Sequence, residues 1–247
     1  MKKIVLFLLC AVILAACLSG CVVTNFPSFG GAGVRGEGDL QRYEYPVGGY
    51  SAIVIKGHCQ INYYASSSDA VTLDIQPNLE EYVSLEVVGG TLVFRYTKNI
   101  STSGGKTPVL TVSTPALNSL TVEGACELKA FDTITADSFT FQLSGAASGT
   151  ADLDVKRLSI GIAGAGSLKL SGTADSADFR LSGAGELEAL ALQTREANVE
   201  LGGVGTVRVN CSETLRIDAG GMGTVEYKGS PGLDLSKGGL VTIKKID

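Results

Sequence analysis

The chain has 247 residues, which fits one or two ordinary domains, and 45% of them are hydrophobic, too many for an intrinsically disordered protein. Its 32 glycines lack the every-third-residue period of collagen, and its formal net charge of −5 argues against nucleic acid or anionic lipid as a partner. The many glycines and β-branched residues favour a β-rich protein with crowded turns.

The first residues have the pattern of a targeting segment. Two lysines precede an apolar run over residues 4–16, which is too short to span a bilayer. The sequence LSGC at residues 18–21 then resembles the bacterial lipoprotein signal, in which the leader is removed before a lipid-bearing cysteine. The resemblance implies a signal peptide over residues 1–20 and lipidation of Cys21. The sequence LAAC, ending at Cys17, fits the same pattern and remains the alternative.

A glycine-rich stretch without hydrophobic periodicity, VVTNFPSFGGAGVRGEG, follows Cys21. Such a composition is typical of a flexible tether. We therefore divide the chain into a leader over residues 1–20, a lipidated tether over residues 21–40 and a folded domain over residues 41–247.

The folded domain repeats a unit in which a glycine follows an apolar-x-apolar pair. Apolar residues alternate with polar ones on both sides of this glycine, which indicates strands with one buried face. From Gly124 to Gly221 the spacing is 21, 19, 19, 20 and 18 residues, and a fixed period near 20 is typical of stacked supersecondary units. The repeat glycines are Gly57, Gly124, Gly145, Gly164, Gly183, Gly203 and Gly221, with a slipped copy at Gly238.

This period predicts an all-β fold, a right-handed parallel β-helix (β-solenoid) with coils of about 20 residues and glycines at the corners. An antiparallel sandwich or barrel is the rival fold, but its strands do not normally repeat in sequence at a fixed interval. The segment 65–117 interrupts the period. Its runs of alternating residues and the pair Gly89 and Gly90 predict an antiparallel β excursion with a hairpin, which covers the N-terminal end of the stack.

The order of motifs over residues 50–247 resembles a family of bacterial envelope proteins. These motifs are YSAIVIKGHCQINY, NLEEYVSLEVVGGTLVF, the SGAG-type repeats and VEYKGSPGLDLSKGGLVTIKK. The family is the auto-transporter adhesin head, or GIN, domain family. The resemblance implies a β-solenoid on an exported, often lipid-anchored protein, and it brings no established activity.

Two cysteines occupy equivalent positions in the repeat. Cys59 and Cys126 each stand two residues after a repeat glycine, and their coils are neighbours if the segment 65–117 is an excursion. Neighbouring rungs lie about 4.8 Å apart, a separation that disulfides accept, and export favours oxidation. We therefore expect a disulfide between them, with two buried thiols as the alternative. Cys211 has no counterpart and is predicted to remain a free thiol.

No metal site or cofactor is predicted, because the chain has one histidine and no CxxC motif. That histidine, His58, adjoins Cys59, but adjacent strand residues point to opposite faces. Glu200 and Asp218 each stand three residues before a repeat glycine and would lie one rung apart, with Arg180 nearby. This separation could suit a retaining glycosidase pair, although a solvated, charged sheet face is the favoured interpretation.

A second column of outward residues stands five residues after the repeat glycines. Opposite charges one rung apart attract, so an alternating column specifies the register of the stack. The column consists of Lys129, Thr150, Lys169, Glu188, Arg208 and Glu226, of which the last four alternate in sign.

These observations predict a lipid-anchored, extracytoplasmic β-solenoid of the bacterial cell envelope that acts as an adhesin-like binding or structural surface. The expected partners are the membrane, through the lipid anchor, and cell-surface polysaccharide or another envelope protein. We do not expect an enzyme; the alternative function is a polysaccharide-acting hydrolase or lyase.

Overall fold

The computed structural model describes residues 33–247. The predicted leader and both candidate lipidation sites, Cys17 and Cys21, lie outside the described residues. The described part is almost entirely β-structure, and stacked parallel coils of about 19 residues form a β-solenoid of about seven turns, which confirms the predicted fold class. Within this part no helix is long and apolar enough to cross a membrane.

The N-terminal third contains the first coil and the strands that cover it. A 3₁₀ helix, Pro77–Tyr82, lies between the fifth and sixth strands. The strands are β1 Val34–Arg35, β2 Gln41–Tyr45, β3 Ala52–Ile55, β4 His58–Ala65, β5 Ala70–Ile75, β6 Val83–Val88, β7 Thr91–Tyr96, β8 Ile100–Ser101 and β9 Val109–Thr114.

The segment 65–117 covers the end of the stack, but it is only partly antiparallel. Strands β7 and β9 pair in parallel with β3 and β4 and so add one more rung to the solenoid. Antiparallel pairing is confined to β5 with β9 and β2, and to the β6–β7 hairpin. Gly89 and Gly90 form the predicted hairpin turn with φ angles of 56° and 76°. The strand edges of the first coil are therefore paired.

The folded domain begins before residue 41. Strand β1 lies in the segment predicted as tether, yet it pairs with β8. The buried side chain of Gln76 donates to the carbonyl oxygen of Gly38 at 2.9 Å and to Ser103 Oγ at 3.0 Å. The composition of the segment before residue 41 indicates a tether. Its backbone is nevertheless ordered, because side chains that are distant in sequence form hydrogen bonds with it.

Each remaining coil pairs in parallel with the coils on both sides of it, except the last one, whose strands β18 and β19 pair with β16 and β17. Single long strands such as β13 bend around the core and supply most of one coil. The strands are β10 Ser119–Val122, β11 Ala125–Ala130, β12 Ile134–Leu143, β13 Ala146–Ile162, β14 Ala165–Leu181, β15 Ala184–Leu201, β16 Val204–Ala219, β17 Met222–Lys228, β18 Gly232–Lys237 and β19 Leu240–Lys245.

The core consists of inward side chains stacked coil upon coil. The residues four positions before the repeat glycines are register partners, and each is at most 2% exposed. Each such side chain contributes roughly 1.5–3 kcal/mol through burial. This stack comprises Ile53, Leu120, Phe141, Ile160, Phe179, Val199 and Ile217.

The repeat glycines let neighbouring coils approach closely. A Cβ on Gly164 would lie 1.9 Å from the carbonyl oxygen of Gly145, far inside van der Waals contact. The series ends at Gly239 and not at the predicted Gly238, because a Cβ on Gly239 would lie 2.1 Å from the carbonyl oxygen of Gly221. At the three repeat corners with two adjacent glycines, the second one approaches the preceding coil; these are Gly203, Gly221 and Gly239.

Candidate binding groove

A groove of about 640 Å³ runs along the outside of the solenoid. Its lining residues come from five successive coils, from strand β12 to strand β16. Buried Val155, Ala174 and Thr194 form its floor. The exposed polar residues on either side of this floor form walls, and the surface between the walls is concave.

One wall is a column of polar side chains, some uncharged and some acidic. They are register partners on successive parallel strands. Thr173 Oγ1 donates to Asp154 Oδ1 at 3.0 Å. Five positions span four rung intervals, or about 19 Å. The column, here called the polar column, consists of Thr135, Asp154, Thr173, Gln193 and Asn210.

The other wall is a corner of the coil whose side chains alternate in charge. Lys156 Nζ lies 2.7 Å from Asp137 Oδ1, and Arg195 Nε lies 2.8 Å from Glu213 Oε1. Lys156 lowers the pKa of Asp137, and Arg195 lowers the pKa of Glu213. Hydrogen bonds to Asp137 and Glu213 raise the pKa of Lys156 and of Arg195, and the charge of Asp175, which lies between the two pairs in sequence, adds to both shifts. We call Asp137, Lys156, Asp175, Arg195 and Glu213 the corner column, and the first four of them line the groove.

The predicted charge column forms in register on a different side of the coil from the groove. Arg208 forms ion pairs with both of its neighbours in the column, because its guanidinium lies 3.1 Å from Glu188 and 2.7 Å from Glu226. It also contacts Glu186, which the sequence did not single out. These carboxylates raise the pKa of Arg208. The column therefore joins three coils by ion pairs.

Glu200 and Asp218 are register partners, as the repeat predicts. Both are exposed, and Arg180 forms ion pairs with Glu200 at 3.2 Å and with Asp178 at 2.6 Å. Neither Glu200 nor Asp218 lines the groove. A glycosidase pair flanks the scissile bond of a sugar held in a cleft, so this arrangement corresponds better to a charged sheet face.

The two cysteines of the predicted disulfide are register partners on β4 and β11. In the structure both are buried, free thiols, and hydrogen bonding to Cys126 together with burial raises the pKa of the Cys59 thiol. The disulfide between Cys59 and Cys126 remains a prediction.

His58 points away from Cys59. The ring of His58 lies 5.4 Å from that of Tyr96, and burial lowers the pKa of His58. Cys211 is a buried free thiol that donates to the carbonyl oxygen of Arg195 at 3.2 Å.

Metal ligands are not clustered in the described part of the chain. Among residues 33–247, no group of three or more histidine, cysteine or acidic side chains could hold a metal ion.

An exposed aromatic pair lies on the coils at the N-terminal end of the groove. Tyr64 and Phe131 stack with ring centroids 4.9 Å apart and ring planes 4° from parallel. Phe131 is 55% exposed, which is unusual for so large an apolar side chain. Both residues stand seven positions after a repeat glycine, Gly57 or Gly124.

The sequence analysis missed the groove, although the repeat contains a signal for it. Counted back from the next repeat glycine, the polar column stands ten residues before it, or eleven for Asn210, and the corner column stands eight residues before it. Counting forward from the preceding glycine spreads these residues over different positions, because the coils differ in length by up to three residues.

Comparison with known proteins gives one family and several similar folds. The family model described as "Putative auto-transporter adhesin, head GIN domain" matches residues 49–231. No curated protein matches the chain. A "putative adhesin" from Bacteroides fragilis NCTC 9343 has a TM-score of 0.79 and 25% identity over 87% of this chain and 100% of its own.

Two more distant structures share the fold. A "putative adhesin" from Parabacteroides merdae ATCC 43184 has a TM-score of 0.67 and 19% identity, covering 87% of this chain and 99% of its own. A "putative lipid binding protein" from Parabacteroides distasonis ATCC 8503 has the same TM-score, identity and coverage. At this identity the likeness shows the fold alone.

Proposed function

The chain belongs to the auto-transporter adhesin head, or GIN, domain family, as its motifs predict, and from this membership we propose that it is a surface adhesin that holds an extended glycan in its groove. An adhesin binds a partner at a surface, so family membership points to an extracellular or surface location. The polar side chains of the groove support a glycan as the ligand. The partners of its carboxylates support binding without chemical turnover.

The observation that carries the proposal is the polar column along the groove. It offers one hydroxyl, carboxylate or amide group at each of five rungs, over about 19 Å. A glycan presents hydroxyl groups along its whole length, and these can donate to carboxylates and accept from amides. Three aspartates and two cations line the groove, which suits an uncharged glycan better than a strongly acidic polymer.

Two of the three aspartates in the groove already have partners. Asp137 is paired with Lys156, and Asp154 accepts a hydrogen bond from Thr173. A general acid needs a raised pKa, whereas the pKa of Asp137 is lowered by Lys156. These contacts favour a binding groove over the hydrolase or lyase alternative.

We further propose that the protein is anchored to the membrane by lipid on Cys21. The LSGC sequence after a charged and apolar leader supports this proposal. The first strand of the folded domain begins at Val34, so only a short stretch of chain separates it from Cys21. A lipid anchor of this kind would present the solenoid at the envelope surface.

The test is glycan-array binding by the native mature protein and by two arginine variants. Thr173→Arg places a long side chain in the middle of the groove. Thr140→Arg makes the same change at an outward position of β12 that does not line the groove and is the matched control. We expect the native protein and the control to bind an extended, uncharged glycan, and Thr173→Arg to lose at least about tenfold in affinity, or about 1.4 kcal/mol. Equal binding by both variants, or no glycan binding by the native protein, would contradict the proposal.

A further inference from the structure

We infer that the Tyr64–Phe131 pair is a stacking subsite for one sugar ring at the N-terminal end of the groove. The inference rests on the proposed function, since it assigns a part of the same glycan-binding surface. It starts from the orientation of the two rings.

The ring of Phe131 has one covered face and one free face. The ring centroids of Tyr64 and Phe131 are 4.9 Å apart, close to the rung spacing of about 4.8 Å, so the two rings stack along the solenoid axis. Tyr64 belongs to the preceding coil and covers the face of Phe131 that points toward the N-terminal end. The other face therefore points toward the coils that line the groove, and 55% of the Phe131 residue surface is exposed.

The aromatic pair is close to the groove. Phe131 stands four residues before Thr135, the first residue of the polar column, so their Cα atoms are at most about 14 Å apart. Between them Thr133 Oγ1 donates to Asp152 Oδ2 at 2.7 Å, and Ser171 Oγ donates to Asp152 Oδ1 at 2.8 Å. These hydrogen bonds link three successive coils into a polar row that lies between the ring position and the groove wall and runs parallel to the groove.

The loop that carries Phe131 is fixed before any ligand arrives. The coil from Gly124 to Gly145 is two residues longer than the next one, and the extra length lies near Phe131. The neighbouring Asp132 accepts a hydrogen bond from the backbone N–H of Ala65 at 3.0 Å. Because the ring is held in place, little conformational entropy is lost when a ligand stacks on it.

The chemistry of the free ring face favours a sugar. A pyranose has one face of C–H groups that packs on an aromatic ring, while its hydroxyl groups remain at the edge for hydrogen bonds. Such a ring beside a polar column provides both kinds of contact. An apolar side chain of a peptide is the competing occupant, and the test distinguishes it.

The experiment uses the glycan that the native protein binds on the array, here called the array-selected glycan. It measures the affinity of this glycan for variants of the mature protein. Phe131→Ala removes the ring, Phe131→Tyr keeps it, and Val88→Ala removes another exposed apolar side chain, at the β6–β7 hairpin, as the matched control. Stacking on one ring is worth up to about tenfold in affinity. We expect Phe131→Ala to weaken binding about 3- to 10-fold, and the other two variants to bind like the native protein.

A fluorescence measurement reports directly on the side chain at position 131. The chain contains no tryptophan, so Phe131→Trp places a single tryptophan at the proposed subsite, and its emission can be excited selectively over that of the eight tyrosines. We expect saturating glycan to shift its emission, and the shift to disappear in the double variant with Thr173→Arg.

Three outcomes overturn the inference. Glycan binding that is sensitive to Thr173→Arg but indifferent to Phe131→Ala, with unchanged tryptophan emission, refutes the stacking subsite and leaves the proposed function intact. No glycan binding by the native protein refutes both. An emission shift caused by an apolar peptide and by no glycan assigns the ring to a protein partner and also refutes the subsite.

Discussion

The close approach of the repeat glycines predicts a large cost for a single added methyl group. In Gly183→Ala the new Cβ would lie 2.0 Å from the carbonyl oxygen of Gly164 and 2.5 Å from that of Ala163. Ordinary contact begins near 3.4 Å, so the two coils must separate locally by more than an ångström. The bonds from Gly183 N to the Ile162 oxygen, 3.0 Å, and from Ala184 N to the Gly164 oxygen, 2.9 Å, would then exceed hydrogen-bond length.

The free-energy cost follows from these contacts. Each of the two lost hydrogen bonds costs about 1 kcal/mol, and overpacking adds about 1–3 kcal/mol, so we expect Gly183→Ala to lower the free energy of unfolding by about 3–5 kcal/mol. Gly202→Ala is the matched control, because a Cβ there would meet no atom within 4 Å. At such a site alanine is neutral or stabilises by up to about 1 kcal/mol.

Urea unfolding of the native protein and both variants, followed by far-ultraviolet circular dichroism, measures these differences. Similar midpoints for Gly183→Ala and Gly202→Ala would refute the argument, because close packing of the coils would then not be the reason for glycine in the repeat.

Three further predictions concern the charge column, the cysteines and the leader. Glu188→Lys removes one ion pair of Arg208 and adds a like charge beside it, so we expect a stability loss of about 1 kcal/mol that shrinks at high salt; a loss independent of salt would exclude charge pairing as the cause. If Cys59 and Cys126 form a disulfide in the oxidising envelope, thiol counting on denatured, lipidated mature protein gives one free thiol, and a count of three would show that they are not joined. Mass spectrometry of the mature N-terminus should find a lipidated Cys21, and a mature chain that starts elsewhere would contradict the assignment.

The stacking of the coils could be predicted because it depends on local patterns. Glycine at each corner and apolar residues four and two positions before it are dictated by backbone approach and burial, and both recur at every coil. For the same reason the register of Glu200 with Asp218, and of Cys59 with Cys126, follows from counting residues. Because the coils are stacked, residues that are one coil apart in sequence lie next to each other in space.

The groove and the end of the stack could not be predicted in this way. The groove depends on how far each coil bends between its corners, which residue types do not specify, and its two columns align only when residues are counted back from the next repeat glycine. The excursion has the alternation of antiparallel strands, yet β7 and β9 return in parallel, because the open edges of β3 and β4 offer them hydrogen-bond partners. Tertiary context decides both features.

The most direct test of the glycan-binding groove is to map the contact by nuclear magnetic resonance. The measurement follows backbone amide shifts of the mature protein while the array-selected glycan is added. The account predicts that the largest changes occur at Thr135, Thr173 and Asn210, along the groove. Changes centred on Arg208 and its neighbours in the charge column, or no changes at saturating glycan, would contradict it.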